Sequence, residues 1–197
     1  MDIASQKSQM RTFLRRTRRN LSPEQQQDAA YRLSQVIRQH VGQQRNVKIA
    51  LYHANDGEID LSFFIEQCHK RDFELYMPVI HSFKPTLWFA RYSPGSAMYS
   101  NRFGIPEPLH GEPIAPWQLN LVLLPLVGFD TAGGRLGMGG GFYDRTFAHQ
   151  RRWPKKPKLF GVAHECQKVE SIPVEAWDIP LAGVFTDKQA YLSRQKP

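Results

Sequence analysis

The chain is predicted to be an α/β protein: a three-layer sandwich around a largely parallel central sheet, Rossmann-like, with a glycine-rich loop at the carboxyl end of one strand. Three observations predict it. Short apolar segments alternate with helical patterns from residue 47 onward. The most apolar of them, Leu119-Asn120-Leu121-Val122-Leu123-Leu124, reads as a central strand covered on both faces. A run of glycines follows that strand, and ligands of such sheets bind beyond the carboxyl ends of strands.

The first 42 residues read as two helices. At their junction, Ser22 can cap, Pro23 suits the first helical position and Gln25 completes a capping box. Ala29, Ala30, Leu33, Val36 and Ile37 then recur at helical spacing, and Gly42 closes the helix. Residues 47–53 read as a strand, Asn55-Asp56-Gly57 as a turn, and Asp60 as the cap of a helix with Leu61, Phe64, Ile65 and Cys68 on its inner face. Residues 73–79 and 86–92 are two further strands, the second carrying Trp88 and Phe89. A loop rich in Pro and Gly covers 93–116 with no strong pattern of its own. Beyond the glycine run, a helix passes through Tyr143, Phe147 and Ala148, and strands at 159–164 and 182–186 complete the sheet. One domain over 1–197 is expected, with 1–42 as N-terminal helices and 47–197 as the α/β core.

A chain of 197 residues buries roughly 70% of its unfolded surface, enough for a core without staples. With 12% aromatic residues it is not a disordered chain. Cys68 and Cys166 form no CxxC pair, which leaves neither a zinc pattern nor a disulfide framework. No apolar leader opens the sequence, and no apolar run approaches the roughly 18 residues of a membrane span. A cytoplasmic protein without membrane association is expected. The net charge of +8 favours anionic partners, whether nucleic acid, phosphorylated ligands or small polyanions. It is concentrated at Arg11, Arg15, Arg16, Arg18 and Arg19, and again at Arg151, Arg152, Lys155, Lys156 and Lys158.

The loop reads Gly133-Gly134-Arg135-Leu136-Gly137-Met138-Gly139-Gly140-Gly141-Phe142-Tyr143-Asp144. Glycine at a helix start is destabilising by roughly 0.5–1 kcal/mol relative to alanine, so four of them ask for compensation. Backbone N–H groups brought close to an anion at a helix start would supply it; a merely tight or mobile loop is the alternative. The run is neither a Walker A loop, which needs GK[ST], nor G-x-G-x-x-G, because Phe142 stands at the third glycine. Arg135 can pair with phosphate as a planar fork, and Asp144 can ligate Mg²⁺.

The segment Leu124-Pro125-Leu126-Val127-Gly128-Phe129-Asp130, leading into residues 135–145, resembles the signature of the 5-formyltetrahydrofolate cyclo-ligase family. Lys7-x-x-x-Arg11, Gly57-Glu58-Ile59-Asp60, Met77-Pro78, Gly104-Ile105-Pro106-Glu107-Pro108 and Ile172-Pro173-Val174-Glu175-Ala176-Trp177-Asp178 fall in the family's order, so the resemblance covers nearly the whole chain. It implies ATP- and Mg²⁺-dependent closure of 5-formyltetrahydrofolate to 5,10-methenyltetrahydrofolate, with release of ADP and phosphate through a phosphorylated N5-iminium intermediate.

The same resemblance implies residue roles. Lys7 and Arg11 are its N-terminal ATP-binding pair. Arg135, Leu136, Gly137, Met138, Gly139, Gly140, Gly141, Phe142 and Tyr143 form its nucleotide loop, whose inner part from Met138 to Phe142 also borders the folate. Asp144 and Asp178 are metal-site carboxylates, Glu58 is the folate-binding glutamate, and His53 aligns with a substrate-contacting position. Arg135 and Tyr143 are the catalytic candidates. Arg135 would offset phosphate charge, while Tyr143 would hydrogen-bond a phosphate, pack on the folate or simply fill the core. The partner expected is 5-formyltetrahydrofolate, with or without a polyglutamate tail drawn in by a basic cluster, bound by a monomer without nucleic acid. Two rivals stand beside this: a nucleic-acid-binding module, and a different ATP-dependent ligase or kinase on the same loop.

Overall fold

The computed structural model describes residues 2–41 and 46–193. Helix α1 spans Ile3–Arg19 and α2 spans Pro23–Val41. Their junction is the expected capping box: the Ser22 N–H donates to Gln25 Oε1 at 2.8 Å, and the Gln25 N–H donates to Ser22 Oγ at 3.3 Å. Gly42, expected to close α2, lies outside the described residues.

Strand β1 is Lys48–Ala50, and α3, Ser62–His69, follows the Asn55-Asp56-Gly57 turn. The residue at the α3 cap position is Leu61 rather than Asp60, yet the Asp60 carboxylate accepts from the Ser62 N–H at 2.6 Å and still serves the first turn. Strands β2, Glu74–Ile80, and β3, Leu87–Tyr92, lie where the sequence places them. The segment 93–116 is more ordered than its composition suggests. It forms a hairpin of β4, Met98–Ser100, and β5, Pro106–Pro108, and then β6, Pro113–Ile114. The buried Glu107 carboxylate holds it, accepting from the Ile80 N–H, Tyr99 Oη and Asn101 Nδ2. Long-range hydrogen bonds of this kind leave no periodic trace in a sequence.

Strand β7, Leu121–Pro125, precedes a small hairpin of β8, Gly128–Phe129, and β9, Arg135–Leu136. The glycine loop therefore leaves from this hairpin, not from the central strand directly. It enters the short helix α4, Phe142–Phe147, which ends one residue before the expected Ala148. Strands β10, Lys158–Val162, and β11, Gly183–Phe185, follow, and β12, Ala190–Leu192, adds an edge that the sequence pattern does not announce.

The main sheet has eight strands in the order β12-β11-β10-β7-β1-β2-β3-β6. Five contiguous strands, β11, β10, β7, β1 and β2, run parallel; β12 and β3 flank them antiparallel, and β6 pairs antiparallel with β3 at the outer edge. Residues alternate between two cores. Ile49, Leu75, Leu121, Leu123 and Val162 pack beneath α2 and α3. Ala50, Tyr76, Val122, Leu124 and Leu159 pack on the other face with Phe147 of α4. Helix α1 lies across the carboxyl-end rim, where Leu14 meets Val127, Leu136 and Ile172. The parallel strands thus deliver the segments after β1, β7 and β10 to one rim.

Asp130 fixes the rim hairpin. Its buried carboxylate accepts from the N–H groups of Ala132, Gly134 and Ile172 at 2.8–2.9 Å. A Cβ on Gly134 would stand 2.2 Å from Asp130 Oδ2, so the close approach requires glycine. Asp130→Ala strands three donors, two of them in buried bonds, and is expected to destabilise the protein by about 2–4 kcal/mol. Urea denaturation measures this, and a loss within the ordinary ±0.5 kcal/mol of a surface substitution would refute the role given to Asp130.

Candidate functional site

Helical spacing decides which side chains of α1 reach the rim. Lys7, Leu14 and Arg18 are its buried residues, and Arg11 shares that face. Lys7 is not a solvated helix-surface lysine: its Nζ lies 2.6 Å from Glu175 Oε2 and 3.5 Å from Asp178 Oδ2. Arg11 donates from Nε to the Gly137 carbonyl at 2.9 Å, so it lies against the glycine loop. Arg135 is buried and ion-paired with Asp144. Ile179 brackets that pair, its carbonyl accepting from Arg135 Nε at 3.1 Å and its N–H donating to Asp144 Oδ1 at 3.2 Å. Two cation–carboxylate pairs, Lys7–Asp178 and Arg135–Asp144, therefore meet at the 178–179 peptide.

The glycines of the loop are not equivalent. Gly139 and Gly141 have φ of +94° and +61°, where other residues are strained, and Gly141 begins α4 without a side-chain cap. A Cβ on Gly140 would approach the Phe142 ring to 2.9 Å, whereas one on Gly137 would meet nothing. Among the described residues, the N–H groups of Gly139, Gly140 and Gly141 donate to no backbone carbonyl. Leu136 is buried in the rim core and Met138 is exposed. Phe142 is half-buried, with the Arg145 guanidinium 5.7 Å from its ring centre.

Glu58 sits at the end of the turn after β1. Its backbone N–H donates to the Asn55 carbonyl at 3.0 Å, and its Oε2 accepts from the Asn55 N–H at 3.1 Å. Burial pushes the Glu58 carboxyl up to about 7, against the pull of the Arg18 guanidinium 3.6 Å away. Tyr143 feels the same carboxylate: burial, and then the Glu58 charge, raise its phenol above the ordinary range. His53 stands apart. Its ring meets Tyr92 edge-on at 5.6 Å, and its buried Nε2 has no partner among the described residues. Burial lowers its pKa, with Asp60 opposing.

Sequence reasoning missed Arg18 and Asp56, assigning the first to a basic cluster and the second to a turn. Arg18 is fully buried. It donates to the Asp56 carbonyl at 2.9 Å, Asp56 Oδ2 at 2.9 Å and the Leu126 carbonyl at 3.2 Å, and reaches Met138 Sδ at 3.9 Å. Arg15 and Arg19 converge on the same Asp56 carboxylate. Burial raises its pKa, but the three guanidiniums outweigh that and hold it at about 2. The spacing Arg11, Leu14, Arg18 on one helix face was the available signal. Glu175, beside Lys7, is the other omission.

A carboxyl that titrates near 7 when folded and near 4.5 when unfolded binds more protons in the folded state between those values. Stability from this group is therefore present below about pH 4.5 and declines as pH rises to 7, by on the order of 3 kcal/mol. Glu58→Gln should remove that decline. Urea unfolding of both proteins between pH 4.5 and 8 tests it; parallel stability profiles would contradict the assigned shift.

Comparison with known proteins bears on this rim. The 5-formyltetrahydrofolate cyclo-ligase family model matches residues 3–187. A Haemophilus influenzae protein named 5-formyltetrahydrofolate cyclo-ligase is 41% identical over 183 residues, covering 91% of this chain and 96% of that protein. An Escherichia coli protein of the same name is 39% identical over 182 residues, covering 91% and 99%. The NMR structure of Aquifex aeolicus 5,10-methenyltetrahydrofolate synthetase superposes with a TM-score of 0.74 at 30% identity, covering 97% of this chain and 94% of that one. A synthetase structure from Mycoplasma pneumoniae, at 24% identity and the same TM-score, shares the fold. With these matches spanning the hairpin, the glycine loop and the helix that carries Lys7, Arg11 and Arg18, the chain belongs to the 5-formyltetrahydrofolate cyclo-ligase family.

Proposed function

We propose that the protein is one domain that closes 5-formyltetrahydrofolate to 5,10-methenyltetrahydrofolate, consuming ATP and releasing ADP and phosphate. The observation that carries this is the Arg18 guanidinium, which touches both Glu58 and Met138. A carboxylate suited to a pterin and a loop suited to a triphosphate are thus one side chain apart. Glu58 in its charged form accepts hydrogen bonds from the pterin 2-amino and ring N–H groups, and a substrate lacking those donors leaves it only the Asn55 N–H and the Arg18 guanidinium as partners. The free amides of Gly139, Gly140 and Gly141, at the start of α4, suit phosphate oxygens.

The formyl oxygen is a poor leaving group, and ATP supplies the phosphoryl group that makes it a good one. In the first step the formyl oxygen bonds to the γ-phosphorus as the bond to ADP breaks, giving an N5-iminium phosphate. N10 then bonds to the formyl carbon, loses its proton, and phosphate departs with the C–O electrons. The protein's part is alignment and charge stabilisation. Asp144 and Asp178 would hold Mg²⁺, which offsets phosphate charge. Mg²⁺ is commonly held by one or two carboxylates together with phosphate oxygens. Lys7, Arg11 and Arg135 flank the same place and would take phosphate oxygens. Tyr143, whose phenol feels the Glu58 charge, would pack on the folate or hydrogen-bond a phosphate. Among the described residues, no helix is long and apolar enough to cross a membrane.

Mixing the purified protein with ATP, Mg²⁺ and 5-formyltetrahydrofolate should produce the methenyl chromophore and ADP in equal amounts. Asp144→Asn, which keeps an acceptor for Arg135 and the Ile179 N–H, should abolish turnover with the fold intact. Glu58→Gln should raise the folate KM by about 10-fold or more, the loss of one charged hydrogen-bonding partner, and leave ATP binding unchanged. Folded protein that yields no chromophore would overturn the assignment. ADP formed without folate would point to a different ATP-using enzyme.

A further inference from the structure

A carboxylate that must be charged to bind substrate is placed where burial works against its charge. The groups facing Glu58 are few. From α1 come Arg18, with Nη2 3.6 Å from Oε1, and more distantly Arg15. From its own turn comes Asp56, whose negative charge opposes ionisation. From α4 comes Tyr143, and from the segment after β1 comes Tyr52, whose hydroxyl donates to the Ile59 carbonyl at 2.7 Å. His164, after β10, lies with Nε2 3.2 Å from the Gly57 carbonyl, and burial keeps it toward its neutral form.

We propose that Arg18 is a positioning residue of the reaction: it favours the charged, folate-accepting form of Glu58 and ties that residue to the glycine loop, while Asp56 limits the effect by sharing the same guanidinium. This rests on the folate reading of Glu58 given above. The geometry supports it in three ways. Arg18 has no access to water, so its charge is little screened. Its Nη2 lies between Asp56 Oδ2 and Glu58 Oε1, at 2.9 and 3.6 Å, so the two carboxylates compete for one donor edge. Asp56 keeps Arg15 and Arg19 as partners when Arg18 is changed, so the turn is still held.

Opposite shifts in two variants test the proposal. Two readouts are used: the acid limb of kcat/KM for 5-formyltetrahydrofolate, and the ¹³C carboxyl titration of Glu58 in the ligand-free protein, assigned with Glu58→Gln. Arg18→Met should move both midpoints up by about one pH unit or more, which at pH 7 lowers the charged form from about a half to about a tenth, roughly a fivefold loss. Its folate KM should rise correspondingly at pH 7 and recover at pH 9, with the ATP KM within about twofold, because only the carboxylate population has changed. Arg18→Lys keeps the charge and should stay near the parent midpoint. Asp56→Asn should move the midpoint down. A purely structural role predicts a loss that is the same at every pH, and that result, or shifts of one sign in both variants, overturns the proposal. Should Arg18→Met fail to fold, Arg18→Lys and Asp56→Asn still decide. Should the parent protein not turn over 5-formyltetrahydrofolate, the functional assignment falls, yet the Glu58 titration still reports on Arg18.

Discussion

The rim of this protein is organised around a guanidinium with no access to water. A buried arginine must find acceptors for its N–H groups, since an uncompensated charge there would be strongly destabilising. Arg18 finds them on the turn after β1 and on the chain leaving β7, two segments that no strand pairing joins directly at that point. Gln167 takes the Leu126 and Val127 carbonyls at 2.8 Å, and His164 lies 3.2 Å from the Gly57 carbonyl, so the segment after β10 joins the same arrangement. A buried ion pair is weak evidence for stability, because desolvation offsets much of the Coulomb gain. What it does here is geometric: one planar group sets the register of α1, Glu58 and Met138 relative to one another.

The glycine-loop end repeats the logic with a buried carboxylate. Asp130 gathers three N–H groups and so fixes the hairpin from which the glycine loop departs. One of those donors is Ile172, which anchors the start of the segment that later carries Glu175 and Asp178. The loop and the second acidic group are therefore positioned by a single side chain. Ile179 then links Asp178 to the Arg135–Asp144 pair through its own peptide groups.

Those two levels differ in how far the sequence discloses them. The central strands, α1 to α3 and the capping box follow from periodicity and local hydrogen bonding, and they stand where these place them, although β1 is shorter than the 47–53 segment suggests. The β4–β5 hairpin and β12 depend on partners far away in the chain, such as Glu107 with Ile80, and local pattern is blind to them. For the candidate site, the glycines and Asp144 announce themselves by composition, and the family resemblance adds Lys7, Arg11, Glu58 and Asp178. Arg18 and Asp56 were hidden because a charged residue in a basic run reads as solvated. Only the helical spacing that places Arg18 beside Leu14 points the other way.

The same arrangement changes what the net charge of +8 means. A nucleic-acid-binding helix would present its arginines as an open row to phosphates. On α1, Arg15, Arg18 and Arg19 converge on one carboxylate, Arg11 is bonded to Gly137, and Lys7 is paired with Glu175 and Asp178. The cluster at Arg151, Arg152, Lys155, Lys156 and Lys158 does face solvent. At the rim itself, Lys7 and Arg135 already have carboxylate partners, so on the function proposed here a metal–triphosphate enters by exchanging partners rather than by filling a bare positive cavity. An exchange gives little net binding to an anion that arrives without its metal. It reserves the stabilisation for the complex in which cation, phosphates and folate are all aligned, which is where a phosphoryl-transfer enzyme gains rate from it.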